Sequence, residues 1–199
     1  MDPNDVTLAT YEETADLYID KTSRTISPEM AAFLDAIVQR APGGRILELG
    51  SGPGYEADYL DAHGLDVDRT DATSAFVDAQ RARGRSARLL NARAADYGGP
   101  YDAVLASAVF LHLERSDMER ALATARACTR EGGVLALTLR EGEGERYSDH
   151  KLGRDRWFVY WSEDALRDAL ARAGWRVDSL ARVSWGEDRW LHVVCLANS

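Results

Sequence analysis

Two periodicities alternate along this chain. Short apolar runs, rich in β-branched and aliphatic residues, stand at 45–49, 65–70, 87–90, 102–107 and 134–139, with two more at 175–183 and 189–197. Stretches whose apolar positions recur every three to four residues separate the early runs, at 55–62, 74–83 and 116–129. A further helical stretch at 163–173 opens on Ser162 as N-cap and closes on Gly174 at the C′ position. Strand patterns alternating with helix patterns predict an α/β protein with helices packed on a mostly parallel sheet. Only Gly186-Glu187-Asp188 separates the last two runs, which predicts a C-terminal antiparallel hairpin and seven strands with one reversed. Two helical patterns precede the first strand, at 10–21 and 28–40; the second begins Ser27-Pro28-Glu29, a cap residue followed by proline at the first helical position.

No repeat, low-complexity tract or Pro/Gly/Ser linker divides the 199 residues. The expectation is one domain over 1–199, with 1–41 as a helical cover that the sheet does not need and 42–199 as the sheet core. Composition refines this only at the margins. Acidic residues number 33 against 24 Lys and Arg, a formal net charge of −9, and such a field repels phosphate backbones and anionic membranes. Neither nucleic acid nor membrane is therefore expected as a partner. The arginines at 81, 83, 85, 88 and 93 read as a solvated helix end and loop. The start, Met1-Asp2-Pro3-Asn4-Asp5, lacks the basic-then-apolar order of a secretory signal, which points to the cytoplasm. Cys128 and Cys195 have no Cys or His at metal spacing and read as buried free thiols, and no metal site is expected.

The candidate chemistry centres on Arg45-Ile46-Leu47-Glu48-Leu49-Gly50-Ser51-Gly52-Pro53-Gly54, a buried strand running into three alternating glycines and then a helix. Glycine permits the tight turn and lets a ligand approach the backbone, and the carboxyl end of such a strand is the ligand crevice of open α/β sheets. Dinucleotide enzymes use G-x-G-x-x-G with pyrophosphate on the helix N-terminus. Here the third glycine comes one residue early, and Glu48 precedes the loop. A carboxylate suits a ligand bearing an ammonium better than a pyrophosphate, which favours S-adenosyl-L-methionine over a nicotinamide dinucleotide. Asp71, at the tip of the second strand, can accept hydrogen bonds from both ribose hydroxyls in either ligand class.

On these residues the sequence resembles the class I S-adenosylmethionine-dependent methyltransferases, and it is most similar to a compact bacterial subgroup acting on small molecules. Glu48-Leu49-Gly50-Ser51-Gly52-Pro53-Gly54 matches that family's first motif, and Thr70-Asp71-Ala72-Thr73 resembles its acidic loop. Asn91-Ala92 stands where members carry Asp-Ala beside the adenine amino group. Tyr101-Asp102-Ala103-Val104 through Phe110-Leu111-His112-Leu113 is similar to the fourth strand and its loop. Arg130-Glu131-Gly132-Gly133-Val134-Leu135 resembles the lead into the fifth, with Glu131 in place of proline. The resemblance implies a Rossmann-like three-layer sandwich. It also implies a cofactor site made of Tyr18, Glu48, Gly50, Ser51, Gly52, Gly54, Asp71, Ala72, Asn91, Ala92 and Ser107. Ser107-Ala108-Val109-Phe110 replaces the Asn-Pro-Pro-Tyr of nucleic-acid amine methyltransferases, in line with a small-molecule acceptor methylated on oxygen or nitrogen.

For the transfer itself the expected base is His112, beside the acceptor pocket, with a structural imidazole bonded to backbone as the competing reading. Tyr11 and Tyr18, seven residues apart on one helix face, either line the pocket or dock the helix. Arg140 either binds an acidic acceptor or pairs with Glu141 or Glu143. Trp157 and Tyr160, in an aromatic cluster, either stack a planar acceptor or join the core. Glu141, Glu143 and Glu145 alternate with glycine and read as a mobile loop. A catalytically silent S-adenosylmethionine-binding partner protein and, less favoured by the glycine spacing, an NAD-dependent oxidoreductase stay open as alternative functions, and monomer and homodimer both stay open as assemblies.

Overall fold

The computed structural model describes residues 2–198. Its main sheet contains seven strands: β1 (Arg45–Glu48), β2 (Asp66–Asp71), β3 (Ala87–Leu89), β4 (Tyr101–Ser107), β5 (Thr129–Arg140), β8 (Trp175–Trp185) and β9 (Asp188–Ala197). Their order is β3-β2-β1-β4-β5-β9-β8. The first five are parallel, and β9 alone is reversed between β5 and β8. β1 is central: Leu47 is opposite Asp68 on one side and Val104 on the other. With the chain reversing direction across the sheet at β1 and β4, the crevice beyond their carboxyl ends is the topological switch point of an open α/β sheet.

Both faces of the sheet are covered, which is why its central strands read as continuous apolar runs. On one face α2 (Pro28–Arg40) and α3 (Tyr55–Ala62) lay Phe33, Leu34, Ile37 and Leu60 over Ile46, Leu105, Ala136 and Val194. On the other, α5 (Arg115–Cys128) and α6 (Glu163–Arg172) bring Met118, Leu122, Leu166 and Leu170 against Leu47, Val104, Leu135 and Val193. Burying a large aliphatic side chain contributes about 1.5–3 kcal/mol. α2 is thus part of the core layer, and the expectation that all of 1–41 is cover is corrected: its apolar face is used up on the sheet. Cys128 and Cys195 are buried free thiols, and no helix among the described residues is long and apolar enough to cross a membrane.

α1 (Pro3–Lys21) is different. It starts seven residues before the pattern predicts, because the Asp2 side chain caps it by accepting from the Asn4 N–H at 2.9 Å and Pro3 fits the first turn. It bends at Thr14, where φ is −124° and the hydroxyl donates back to the Thr10 carbonyl. Its partner is a second correction. The stretch expected to be a mobile Glu-Gly loop is tied at both ends, Glu141 bridging to Trp161 and Glu145 opening a separate hairpin of β6 (Glu145–Ser148) and β7 (Arg156–Val159). α1 is stitched to it: Thr7 Oγ1 accepts from the Trp157 N–H at 2.9 Å, Thr10 Oγ1 donates to the Asp155 carbonyl at 2.7 Å, and Lys21 Nζ donates to the Lys151 carbonyl at 2.8 Å. Glu141 is held by Arg182 and Arg189. The five arginines from 81 to 93 each pair with a carboxylate, so they form no free basic patch.

Candidate active site

The turn after β1 is fixed from several sides. The Ser51 N–H donates to the Thr70 carbonyl and the Gly54 N–H to the Ser51 carbonyl, each at 2.8 Å, while Gln80 Nε2 donates to the Gly52 carbonyl at 2.9 Å. The glycines do different work. A Cβ on Gly50 would lie 2.4 Å from Val109 Cγ2, and one on Gly54 2.5 Å from Gln80 Oε1, so both serve close packing. A Cβ on Gly52 would meet nothing nearer than Tyr18 Cε1 at 3.9 Å. At Gly52 the space beside the backbone faces the pocket and suits a ligand.

That pocket encloses about 680 Å³, counting its open mouth, and its walls come from α1, the glycine loop, the ends of β2, β3 and β4, and the loop after β4. Of the residues expected to hold cofactor, Tyr18, Gly50, Gly52, Asp71, Ala72, Asn91, Ala92 and Ser107 line it; Glu48, Ser51 and Gly54 lie behind the wall. Asp71 accepts from the Gly52 and Thr73 N–H groups, both at 2.8 Å. Burial nevertheless raises its carboxyl above the usual range. Glu48 is 2% exposed, and burial, reinforced by Glu56, pushes its carboxyl up to about 8; the Ser51 hydroxyl donates to it. A buried acid next to a glycine loop fits a cationic ligand group. Asn4, Thr7, Leu8, Thr73, Phe76 and Val109 also line the pocket and were missed. The first three depend on the early start of α1; the Asp2-Pro3 cap was the available signal.

Where α1 meets β7, the wall is a directed hydrogen-bond chain. His112 Nδ1 lies 2.6 Å from the Trp157 carbonyl, which only accepts, so this nitrogen carries the proton. Nε2 is then the acceptor of the Tyr11 hydroxyl at 3.0 Å, and the Tyr11 oxygen accepts in turn from Arg156 Nη1 at 3.2 Å. Burial, with Arg156 and Arg140 adding to it, lowers the imidazole to about 3 against the opposing effect of the Trp157 carbonyl. His112 is neutral, in one tautomer, and its lone pair is aimed at Tyr11. Tyr11 and Tyr18 share the pocket wall at 5.4 Å between ring centroids.

Three expected substrate residues lie off this pocket. Arg140 pairs with Asp188 at 2.8 Å, not with Glu141 or Glu143, and packs over Phe158. Asp188, at the start of β9, is brought there by the reversed strand, a long-range pairing that local spacing does not reveal. The Tyr160 hydroxyl accepts from Arg140 and Arg146. Trp157 packs on Tyr147 at 4.7 Å and reaches the site only through its backbone carbonyl.

Sheet order, glycine loop and the acid closing β2 together define the class I fold of S-adenosylmethionine-dependent methyltransferases. Residues 22–180 match the family described as methyltransferase domain, and the chain belongs to that family. S-adenosylmethionine is its cofactor. Among solved structures, the chain is similar to the CcbJ methyltransferase from Streptomyces caelestis, with a TM-score of 0.76 and 19% identity over 96% of this chain and 98% of that one. It is also similar to the 1,6-didemethyltoxoflavin-N1-methyltransferase of Burkholderia thailandensis, solved with 1,6-didemethyltoxoflavin and S-adenosylhomocysteine, with a TM-score of 0.74 and 18% identity over 98% and 87%. At such identities the likeness is one of fold. A protein-L-isoaspartate O-methyltransferase from Pelodictyon phaeoclathratiforme is 41% identical over 68 residues, a match spanning 33% of this chain and 30% of that enzyme.

Proposed function

We propose that the chain transfers a methyl group from S-adenosylmethionine to an oxygen or nitrogen of a small-molecule acceptor. The observation that carries this reading is the Tyr11–His112 pair, 3.0 Å apart on the wall of the same pocket that Gly52 and Asp71 line. Asp71 takes the ribose hydroxyls, Asn91 and Ala92 frame the adenine, and Glu48 acts on the methionine ammonium through the loop it supports. When bound, the cofactor supplies a methyl group already activated by a sulfonium leaving group. The protein's part is alignment, exclusion of water and disposal of the acceptor's proton.

The proton path follows from the hydrogen-bond directions. An acceptor hydroxyl at Tyr11 passes its proton to the tyrosine oxygen as the tyrosine proton moves to His112 Nε2. An imidazole with a pKa of about 3 is a weak base, matched to a hydroxyl that becomes strongly acidic only as it is alkylated. This favours oxygen over an ammonium nitrogen. The 68-residue match to an enzyme acting on protein L-isoaspartate favours, as a second reading, an acceptor carried on a protein. A screen with methyl-labelled cofactor separates the two: label entering small hydroxylated compounds supports the first reading, and label entering only peptides or proteins replaces it with the second.

A further inference from the structure

Beyond the residues assigned to the cofactor, the pocket wall holds no Asp, Glu, Lys or Arg among the described residues. Leu8, Phe76, Val109 and Leu113 make this part of the wall apolar. The Phe76 and Tyr11 rings stand 5.9 Å apart at their centroids, a pair of aromatic surfaces facing the same space. Leu8 and Tyr11 come from α1, which lies ahead of residues 22–180 that match the methyltransferase family. The part of the wall left for the acceptor is thus built in good measure by an element outside the shared family region.

The side-chain donors of this part are all engaged within the protein. Thr7 Oγ1 donates to the Pro3 carbonyl at 3.0 Å and Asn4 Nδ2 to the His112 carbonyl at 3.4 Å. The Tyr11 hydroxyl donates to His112 Nε2, His112 Nδ1 to the Trp157 carbonyl, and the Thr73 hydroxyl bonds Asp71. A carboxylate or phosphate can only accept, and here it would give up its water with no side-chain donor to replace it. A cationic acceptor meets the opposite obstacle. Arg156, in no ion pair among the described residues, donates to the Tyr11 oxygen at 3.2 Å, and its charge and that of Arg140 are felt at His112. What this wall offers is a place to accept: Arg156 takes one lone pair of the Tyr11 oxygen and leaves the other for an incoming hydroxyl.

We propose that the acceptor is an uncharged aromatic hydroxyl compound, a phenol whose ring lies against the apolar wall of Leu8, Phe76 and Leu113 and whose hydroxyl donates to Tyr11. This substrate class rests on the methyltransferase reading above. The phenol oxygen bonds to the methyl carbon as the carbon–sulfur bond breaks, its proton passes to the Tyr11 oxygen, and the Tyr11 proton passes to His112 Nε2. The products are an uncharged aryl methyl ether, S-adenosylhomocysteine and an imidazolium that returns its proton to water. A phenol, ionising near 10 like a tyrosine side chain, suits so weak a base better than an alcohol does.

The test uses the full chain loaded with S-adenosylhomocysteine and four probes titrated by calorimetry at pH 7. Methyl 4-hydroxybenzoate is uncharged, 4-hydroxybenzoate anionic and tyramine cationic, all with the same phenol; methyl benzoate is uncharged and lacks the hydroxyl. Methyl 4-hydroxybenzoate is expected to bind at least tenfold more tightly than each of the other three. Leu8→Arg places a cation in the wall and should turn the preference toward 4-hydroxybenzoate, with affinity for S-adenosylhomocysteine unchanged. The wild-type series decides the matter even where that variant does not fold. An acid or amine that binds as tightly as the ester, an ester that binds no better than methyl benzoate or not at all, or an unchanged order in a folded Leu8→Arg chain would each overturn the proposal. Failure to bind S-adenosylhomocysteine would instead strike the methyltransferase reading beneath it.

Discussion

Replacing Glu48 by glutamine should make the free protein more stable at alkaline pH while weakening its hold on cofactor. Burial raises this carboxyl from an ordinary 4.5 to about 8 in the fold. In the unfolded chain it ionises near 4.5, so the folded state keeps a proton that the unfolded state has lost. The stability associated with that proton is fully present below about 4.5 and is lost as pH rises toward 8. At about 1.4 kcal/mol per unit, the loss amounts to about 5 kcal/mol. Glutamine keeps the shape and an acceptor for the Ser51 hydroxyl but cannot ionise. Urea unfolding of wild type and Glu48→Gln at pH 5, 7 and 9, without ligand, isolates this contribution because every other titrating group is common to both. The variant should gain on wild type progressively, by several kcal/mol between pH 5 and pH 9. Parallel stability curves, or a variant that loses ground as pH rises, would refute the argument that Glu48 is a buried acid held for an incoming cation. In the same variant S-adenosylhomocysteine should bind at least tenfold more weakly, and the proton that wild type releases on binding at pH 7 should no longer be released.

His112, with its pKa lowered from 6.5 to about 3, has the opposite sign: the stability it lends is present above 6.5 and lost as pH falls toward 3. Its ring resonances should show one neutral tautomer, protonated on Nδ1, down to about pH 4, and a titration near 6.5 would contradict the Trp157 and Tyr11 bonds assigned to it. His112→Asn and Tyr11→Phe should each lower kcat by about a hundredfold or more on a hydroxyl acceptor with KM for the cofactor little changed; equal losses in cofactor affinity would make the pair structural. Gly50→Ala adds a Cβ 2.4 Å from Val109 at a residue with φ of +63°, and should cost about 1–3 kcal/mol, read as a lowered melting temperature. An unchanged melting temperature would mean that the loop after β4 yields freely.

Features encoded locally could be read from the chain before folding. The run from Arg45 into Gly50-Ser51-Gly52-Pro53-Gly54, and Asp71 at the tip of β2, are set by backbone requirements that show in residue type and spacing, and the sheet places both at the crevice. The C-terminal hairpin was legible for the same reason, since Gly186 supplies the turn. Features that depend on partners distant in the chain were not. Arg140 meets Asp188 because β9 runs back along β5, and α2 is core because its Phe33–Leu34–Ile37 face finds the sheet. The β6–β7 hairpin hid behind glutamates alternating with glycine, whose exposed strand β6 carries almost no apolar signal. The burial of Arg156 is equally illegible in the chain. It arises only when α1 lies across β7, joined through Thr7 and Thr10.

The central claim is that the glycine loop and Asp71 form an S-adenosylmethionine site, and calorimetric titration with S-adenosylhomocysteine tests it most directly, with NADH titrated in parallel and Asp71→Ala as control. The account predicts saturable binding of one S-adenosylhomocysteine per chain, no binding of NADH, and loss of the interaction in a folded Asp71→Ala chain. Saturable NADH binding by a folded protein that ignores S-adenosylhomocysteine would contradict it.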